Sequence, residues 1–257
     1  MEIGALKEGY RVKLKQPANP ILPQLAMRAI ALGPSSSGKT NAIVTMLTDH
    51  RFYRGKFDRL FWCSPTATVD PALDVLRGYI ETTDQDQEKY PTFHDKIDVT
   101  FLSARVEEAR KVTEYLKNNK SKQHGYNTLL VLDDLADVKR GLPEIARFVD
   151  SLFVKARHWG VSVILSTQKL KLPLISPTVR VNITAMFVWR LRNSSDLTDG
   201  FLHEMQALVD KKKLEEAYRH AVSIPYNFMY INLLAKDVDS MFFSGFTEKF
   251  LMSETDG

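Results

Sequence analysis

The chain has 257 residues, of which 44% are hydrophobic, and it carries a formal net charge of +4. These values predict one large domain, or one domain with an appendage, and they permit an acidic partner without requiring one. They disfavour a membrane partner, because no apolar run reaches the ~18 residues of a spanning helix, and the single cysteine, Cys63, excludes an internal disulfide and favours a reducing intracellular compartment.

Three regions of the chain differ in composition. Residues 1–24 contain Pro17, Pro20 and Pro23 and are expected to form an arm. Residues 25–235 alternate apolar runs with helix-forming stretches, which predicts an α/β domain with a mostly parallel central sheet flanked by helices. Residues 236–257 carry four phenylalanines, so we expect this tail to pack against the body or against a partner.

The apolar runs and the helix-forming stretches of the central region give the predicted elements. The predicted strands are Met27–Leu32, Arg59–Cys63, Val99–Phe101, Thr128–Leu132, Val161–Ser166, Ala185–Arg190 and Phe228–Leu233. The predicted helices are Thr40–His50, Arg105–Lys117, Pro143–His158 and Phe201–Tyr218. Cys63 ends an apolar run, so we interpret it as a small buried residue and not as a nucleophile.

The first strand leads into a phosphate-binding loop. Gly-x-x-x-x-Gly-Lys-Thr between a buried strand and a helix directs backbone N–H groups and a helix N-terminus at one anion. Lys39 can reach the β- and γ-phosphates of a bound nucleotide, and the Thr40 hydroxyl can bind Mg²⁺. The residues predicted to hold the nucleotide are Gly33, Pro34, Ser35, Ser36, Ser37, Gly38, Lys39 and Thr40.

The fourth predicted strand ends in two acids, Asp133 and Asp134. In a phosphate-loop enzyme, such a strand ends beside the triphosphate, where one acid holds Mg²⁺ and a second can activate the attacking water. We predict the metal role for Asp133 and the water role for Asp134. The alternative is a buried strand followed by an Asp-rich turn.

Two polar residues lie near the next predicted strand. Gln168 follows it, and if this strand lies beside that of Asp133, the amide can contact the γ-phosphate or the attacking water; an ordinary strand-end turn is the alternative. Arg157 precedes the strand at the end of a helix, where basic residues are expected from the helix dipole alone.

Three sequence blocks together resemble the FtsK/HerA superfamily of DNA-translocating ATPases. They are Gly33–Thr40, Leu129–Asp134, and Lys155–Arg157 followed by Val161–Gln168. Within that superfamily the chain is most similar to the genome-packaging ATPases of large eukaryotic DNA viruses, including the poxvirus type. The features that carry this second likeness are Asp133-Asp134, Ser64-Pro65-Thr66, Arg157-His158, Ser166-Thr167-Gln168 and Pro225-Tyr226-Asn227-Phe228.

The resemblance implies a P-loop NTPase fold of the RecA/ASCE type and an ATPase that uses ATP and Mg²⁺. By position it implies that Gln168 senses the γ-phosphate and that Arg157 is an arginine finger for the ATP of a neighbouring subunit. It also implies a homo-oligomeric ring of about five or six subunits, double-stranded DNA as a partner, and a viral capsid or portal-vertex protein as another. The location would be the virion or the host cytoplasm at the virus factory.

The leading hypothesis is therefore an ATP-driven motor that packages a viral genome. A cellular or plasmid-borne DNA pump is one alternative, and a nucleotide-dependent capsid-assembly switch that never translocates DNA is another. The basic residues that could contact DNA phosphates are Arg180, Arg190, Arg192, Lys139-Arg140 and Lys211-Lys212-Lys213, although each taken alone is more simply a solvated surface residue.

Overall fold

Nine strands of the described chain form one sheet, in the order β3-β2-β4-β5-β1-β6-β7-β8-β9. A computed structural model provides this fold, and it describes residues 12–83, 87–120, 123–134, 142–170 and 175–253. The first six strands in this order pair in parallel, and the last three continue the sheet as antiparallel neighbours. The strands are β1 Arg28–Leu32, β2 Arg59–Cys63, β3 Phe93–His94, β4 Thr128–Leu132, β5 Val161–Thr167, β6 Ala185–Val188, β7 Met229–Asn232, β8 Phe242–Ser244 and β9 Glu248–Lys249.

Helices cover both faces of this sheet, as the alternating sequence pattern predicts. The helices are α1 Lys39–Thr48, α2 Asp74–Thr83, α3 Val99–Asn118, α4 Leu142–Lys155, α5 Pro177–Asn182, α6 His203–Met205 and α7 Lys211–Ala221. Along β1, Ile30 and Leu32 join the core under α3 and α4, whereas Ala29 and Ala31 join the core under α1 and α2. Burial on both faces explains why the central strands are continuous apolar runs. The predicted α/β fold with a mostly parallel sheet is confirmed.

The predicted strand Val99–Phe101 is wrong, because these residues form the first turn of α3. Asp98 caps this helix, and its carboxylate accepts a hydrogen bond from the Phe101 N–H at 2.9 Å. The β-branched residues Val99 and Thr100 favour a strand only when no cap precedes them. A cap satisfies backbone donors that would otherwise lack partners, so it decides the local structure here.

The single helix predicted over Phe201–Tyr218 is also wrong. A π-helix over Asp196–Leu202 passes into the short α6, and α7 begins separately after Asp210. The Asp210 carboxylate accepts from the Lys213 N–H at 3.0 Å and so starts a new helix. The prediction also omitted α2, which follows a 3₁₀ turn with Asp70 as its cap.

Residues on either side of the central region contact it. Gln16 pairs through its amide with the backbone of Leu25, and the Tyr53 hydroxyl donates to the carbonyl of Pro23 at 2.8 Å. At the other end of the chain, β8 pairs with β7. The division into arm, ATPase domain and tail stays a prediction. No helix of the described ranges is long and apolar enough to cross a membrane.

Burial confirms the interpretation of Cys63. The residue lies at the end of β2 and is 1% exposed. Burial is the main cause that raises the pKa of its thiol to about 12. A thiol with this pKa is almost entirely protonated at neutral pH, and so it is a poor nucleophile.

Candidate functional site

The candidate site lies at the carboxyl edge of three adjacent parallel strands. Leu32 of β1 is in register with Thr167 of β5, and Leu132 of β4 is in register with Leu165. The residues that follow these strands therefore emerge together. The ligand sites of open α/β sheets lie at this edge.

Packing and backbone conformation require both glycines of the phosphate loop. A Cβ on Gly33 would lie 2.8 Å from both the Ser37 Oγ and the Trp189 Cβ, so no larger residue fits there. Gly38 has φ +99°, a conformation that L side chains rarely adopt, and α1 begins at the next residue. The strand, loop and helix that the sequence predicts are present in this order.

The side chain of Lys39 contacts the loop that precedes it. Its ammonium donates to the carbonyls of Gly33 at 2.7 Å and Pro34 at 2.9 Å. Burial lowers the pKa of Lys39, and the nearby carboxylates of Asp133 and Asp134 oppose this shift. The cation and both acids therefore share one electrostatic environment at the carboxyl edge.

The two acids after β4 differ in their surroundings. Asp133 is 7% exposed, and burial raises the pKa of its carboxyl, while the Ser166 hydroxyl and the Lys39 ammonium oppose the rise. Asp134 is exposed and has φ +49°, a left-handed conformation that few residues other than glycine adopt. Backbone strain of this kind is found at functional sites. One acid therefore lies against the strands and the other reaches out from them.

Gln168 links the strand ends to the phosphate loop. Its amide nitrogen donates to the Asp134 Oδ1 at 3.1 Å and to the Ser35 Oγ at 3.2 Å. These contacts join residues after β5, after β4 and in the loop after β1. The structure thus brings Gln168, Asp134 and the loop together, while the roles predicted for them stay predictions.

The loop and the acids fit a nucleotide with a divalent cation. The Ser37 Oγ is buried and has no hydrogen-bond partner within the described part of the chain, as expected of a group that a phosphate would satisfy. The first N–H groups of α1 have no partner within the helix and point towards the same loop. Mg²⁺ prefers oxygen ligands, and the Thr40 hydroxyl and the Asp133 carboxylate are the residues of this chain that would hold it.

Arg157 does not lie in this site. It is exposed in a 3₁₀ turn that directly precedes β5, at the amino edge of the sheet. The seven residues of β5, at about 3.3 Å each, put roughly 20 Å between that edge and Gln168. Arg157 instead borders a recess together with Lys117 and His158.

The basic residues considered for DNA contacts are dispersed. Arg180 forms an ion pair with Glu204 at 2.8 Å, and Lys213 donates to the carbonyl of Ser253. Arg190 and Arg192 border a cavity beside the phosphate loop. Lys139 and Arg140 lie outside the described residues.

Sequence reasoning missed two residues of the site. Trp189 packs on Gly33, and Tyr226 packs on Gly38, although they follow the loop by more than 100 residues. The segment Pro225–Phe228 was noted only as a point of family likeness. Nothing in the local sequence indicates that Tyr226 would contact the loop, because the contact depends on the order of the strands.

Comparison with known proteins finds similar chains among solved structures and among viral proteins. The pCW3 conjugation coupling protein TcpA superimposes with a TM-score of 0.53 and 14% identity, over 89% of this chain and 68% of that chain. The genome packaging NTPase B204 of Sulfolobus turreted icosahedral virus 2 gives a TM-score of 0.46 and 16% identity, over 80% and 90% of the two chains. An uncharacterised protein, 075L, of Invertebrate iridescent virus 6 is 26% identical over 144 residues, or 56% of this chain. The chain spans about half (52%) of the length of that relative.

A family model matches most of the chain. The family described as "Poxvirus A32 protein" matches residues 20–238, which include the phosphate loop and the strand ends that form the site. The chain therefore belongs to the poxvirus A32 family.

Proposed function

We propose that this member of the poxvirus A32 family hydrolyses ATP to move double-stranded DNA into a viral capsid. The observation that carries the proposal is the contact of Gln168 with both Asp134 and Ser35. It links the predicted γ-phosphate sensor, the predicted water-activating acid and the phosphate loop. A phosphate loop that served only to hold an anion would need neither of the first two.

Each residue of the site has a distinct part in this proposal. Lys39 exchanges its bonds to the loop carbonyls for bonds to the β- and γ-phosphates of ATP. Asp133 and Thr40 would hold Mg²⁺, which neutralises charge on the phosphates when it is bound. Asp134, exposed at the edge, orients the attacking water and accepts its proton. Gln168 reports the loss of the γ-phosphate because it already spans the loop and Asp134.

Arg157 completes the site of a neighbouring subunit in this proposal. Its place at the opposite edge of the sheet puts its own ATP out of reach, since an arginine side chain is far shorter than the length of β5. An arginine finger supplied in trans lowers the barrier to hydrolysis by stabilising the charge of the transition state. A homo-oligomeric ring brings the two edges together at each subunit boundary, and the subunit count of five or six belongs to the same proposal.

The other partners follow from the motor hypothesis. Duplex DNA of any sequence must be gripped, so the contacts would be made to phosphates, which carry no base information. Residues 25–235 would form the motor, with residues 1–24 and 236–257 as its arm and tail. The capsid or portal-vertex protein would anchor the ring, and the location would be the virion or the host cytoplasm.

A steady-state ATPase assay tests the proposal. The assembled protein is assayed at low salt with and without long duplex DNA, and Lys39→Ala serves as the inactive control. We expect turnover to rise with DNA, and we expect DNA retention to weaken steeply as salt increases, through counterion release. Two duplexes of unrelated sequence should stimulate turnover equally.

Two results would contradict the proposal in different ways. ATP turnover that DNA does not change, together with no DNA retention, would favour the capsid-assembly switch over the motor. Turnover in Lys39→Ala close to that of the wild type would remove the phosphate-loop assignment itself.

A further inference from the structure

A cavity of about 540 Å³ adjoins the phosphate loop on the side away from Asp133 and Asp134. Its lining comes from the phosphate loop, from the segment after β6 and from the segment before β7. This volume lies within the range of small-molecule sites. The residues that matter here are Ser36, Ser37, Trp189, Arg190, Arg192 and Tyr226.

A nucleotide bound to the phosphate loop would extend into this cavity. The acids and Gln168 lie on the β4 and β5 side of β1, so the γ-phosphate is expected on that side. The remainder of the nucleotide must therefore leave the loop towards β6, on the other side of β1. The Trp189 N–H donates to the Leu32 carbonyl at 2.8 Å, and this bond aligns the segment after β6 directly beside the loop.

Tyr226 presents an aromatic surface at the entrance of this cavity. Its side chain is 74% exposed, yet its Cβ and Cδ1 lie 3.3 Å from the position that a Cβ on Gly38 would occupy. Its φ of +64° is unusual for a residue with a large side chain. Such strain persists only where the surroundings impose it, and it occurs preferentially at ligand sites.

The surroundings of Tyr226 do impose its position. The Trp189 indole N–H donates to the Tyr226 carbonyl at 3.0 Å. The side-chain Nδ2 of the next residue, Asn227, donates to the Ala221 carbonyl at 2.8 Å and to the Ser244 Oγ at 2.9 Å. The segment is thus held on both sides while the ring itself stays open to solvent.

The charge of the cavity suits a phosphorylated nucleoside. Arg190 and Arg192 are exposed at its border, and no acidic residue is among the described residues that line it. An open aromatic ring next to cationic side chains is the combination that nucleic-acid-binding proteins use for bases and phosphates.

We propose that this cavity holds the nucleoside part of the nucleotide and that the base stacks on Tyr226. This inference rests on the proposed function, because it assumes that the loop binds a nucleoside triphosphate. Stacking requires only a planar base, so Tyr226 contributes affinity for the base and the loop contributes affinity for the phosphates.

Calorimetric titration of two probes, ATP and inorganic tripolyphosphate, each with Mg²⁺, separates these contributions. Tyr226→Ala should bind ATP about tenfold more weakly than the wild type, a loss within the range of aromatic–base stacking, and should bind tripolyphosphate about equally. Tyr226→Phe should retain ATP affinity. Tyr226→Gly relieves the strained φ while it removes the ring, so it should lose ATP affinity without loss of folding. Tyr115→Ala, an exposed tyrosine on α3, is the matched control.

A fluorescent ethenoadenine analogue of ATP provides a second readout. Its emission should be quenched on binding to the wild type and to Tyr226→Phe, and much less so on binding to Tyr226→Gly. Unchanged ATP affinity in both Tyr226→Ala and Tyr226→Gly would overturn the nucleoside assignment and leave the phosphate loop intact. Equal loss of ATP and tripolyphosphate would overturn it as well. A wild-type protein that binds neither probe would instead contradict the proposed function.

Discussion

Replacing Gly38 with alanine tests the geometry of the phosphate loop directly. Gly38 has φ +99°, and a Cβ there would lie 3.3 Å from two atoms of Tyr226. The substitution therefore imposes a backbone strain and also a close contact, which either the new alanine or Tyr226 must move to relieve. We expect it to destabilise the fold and to move the Tyr226 ring.

Two other glycines separate these effects. Gly55 has φ +69° with no atom within 4 Å of its would-be Cβ, so Gly55→Ala carries the backbone strain alone, about 1 kcal/mol. Gly78 lies within α2 with the same free space and no positive φ, so Gly78→Ala should stabilise by about 0.5–1 kcal/mol. Gly38→Ala adds the contact to the strain and should cost about 2 kcal/mol, or roughly 4–8 °C in melting temperature for a domain of this size.

Urea unfolding of the three variants measures these differences. We expect the free energy of unfolding to decrease in the order Gly78→Ala, wild type, Gly55→Ala and Gly38→Ala. Adding Tyr226→Gly to Gly38→Ala should recover part of the loss, relative to Tyr226→Gly alone, because both atoms that the new Cβ contacts, the Tyr226 Cβ and Cδ1, are gone. A cost for Gly38→Ala no larger than that for Gly55→Ala, or no recovery in the double variant, would refute the contact between the loop and Tyr226.

Four further outcomes are expected. Mixed Arg157→Ala and Lys39→Ala subunits should regain part of the ATPase activity that each variant lacks alone, because one kind of mixed interface pairs an intact Arg157 with an intact phosphate loop. A mixture that assembles but stays inactive would contradict a role of Arg157 in trans. Asp134→Asn should bind Mg·ATP in calorimetry yet lose about 100-fold in turnover, whereas Asp133→Asn should lose Mg²⁺-dependent binding as well. Without Mg²⁺, Asp133→Asn should melt at a higher temperature than the wild type at neutral pH. Burial raises the native pKa of the Asp133 carboxyl above its unfolded value, so the wild-type protein loses stability as pH rises and this carboxyl ionises. The difference in melting temperature between the two proteins should therefore shrink as pH falls towards about 4. Cys63 should resist alkylation in the folded protein at about pH 8 and react after unfolding, because its pKa is about 12.

The central strands could be predicted from the sequence because both of their faces are buried. Arg59–Cys63 and Thr128–Leu132 have the predicted bounds, and the bounds of the neighbouring strands differ by a residue or two. A run that is apolar at every position has few alternatives in a chain that alternates strands and helices. These strands fix the carboxyl edge, so the loop and the acids that follow them could be predicted as well.

The errors arose where a single capping residue changes the local structure. Asp98, Asp210 and Asp70 each start a helical segment that the sequence reading misplaced, merged or omitted. An aspartate that accepts from the backbone N–H two or three residues later is a local signal. Greater weight on such caps, and on Pro71 directly after Asp70, would have corrected all three elements.

The part of the site next to β6 could not be predicted from local sequence. Trp189 and Tyr226 reach the phosphate loop only because β6 lies beside β1 and β7 lies beside β6. That order follows from packing across the whole sheet, and no motif marks either residue. The Tyr218 hydroxyl donates to the Trp189 carbonyl at 3.1 Å and accepts from the Leu191 N–H at 2.7 Å, so α7, which lies between Trp189 and Tyr226 in the chain, also supports this side.

The edges of the sheet limit how subunits can associate. The two edge strands of the described sheet, β3 and β9, have two residues each, and Glu248 and Lys249 of β9 are exposed charged residues. Short and charged edges disfavour pairing with a strand of another subunit. A two-fold interface whose patch includes both edges would place Arg157 of each subunit beside the ATP site of the other, and a head-to-tail interface would do so in one direction only. Both kinds of contact bring the amino edge of one subunit to the carboxyl edge of another. Recovery of activity in the mixture of Arg157 and Lys39 variants would therefore support an assembly in which the amino edge of one subunit meets the carboxyl edge of another, and the mass of the active assembly would distinguish a ring from a two-fold dimer.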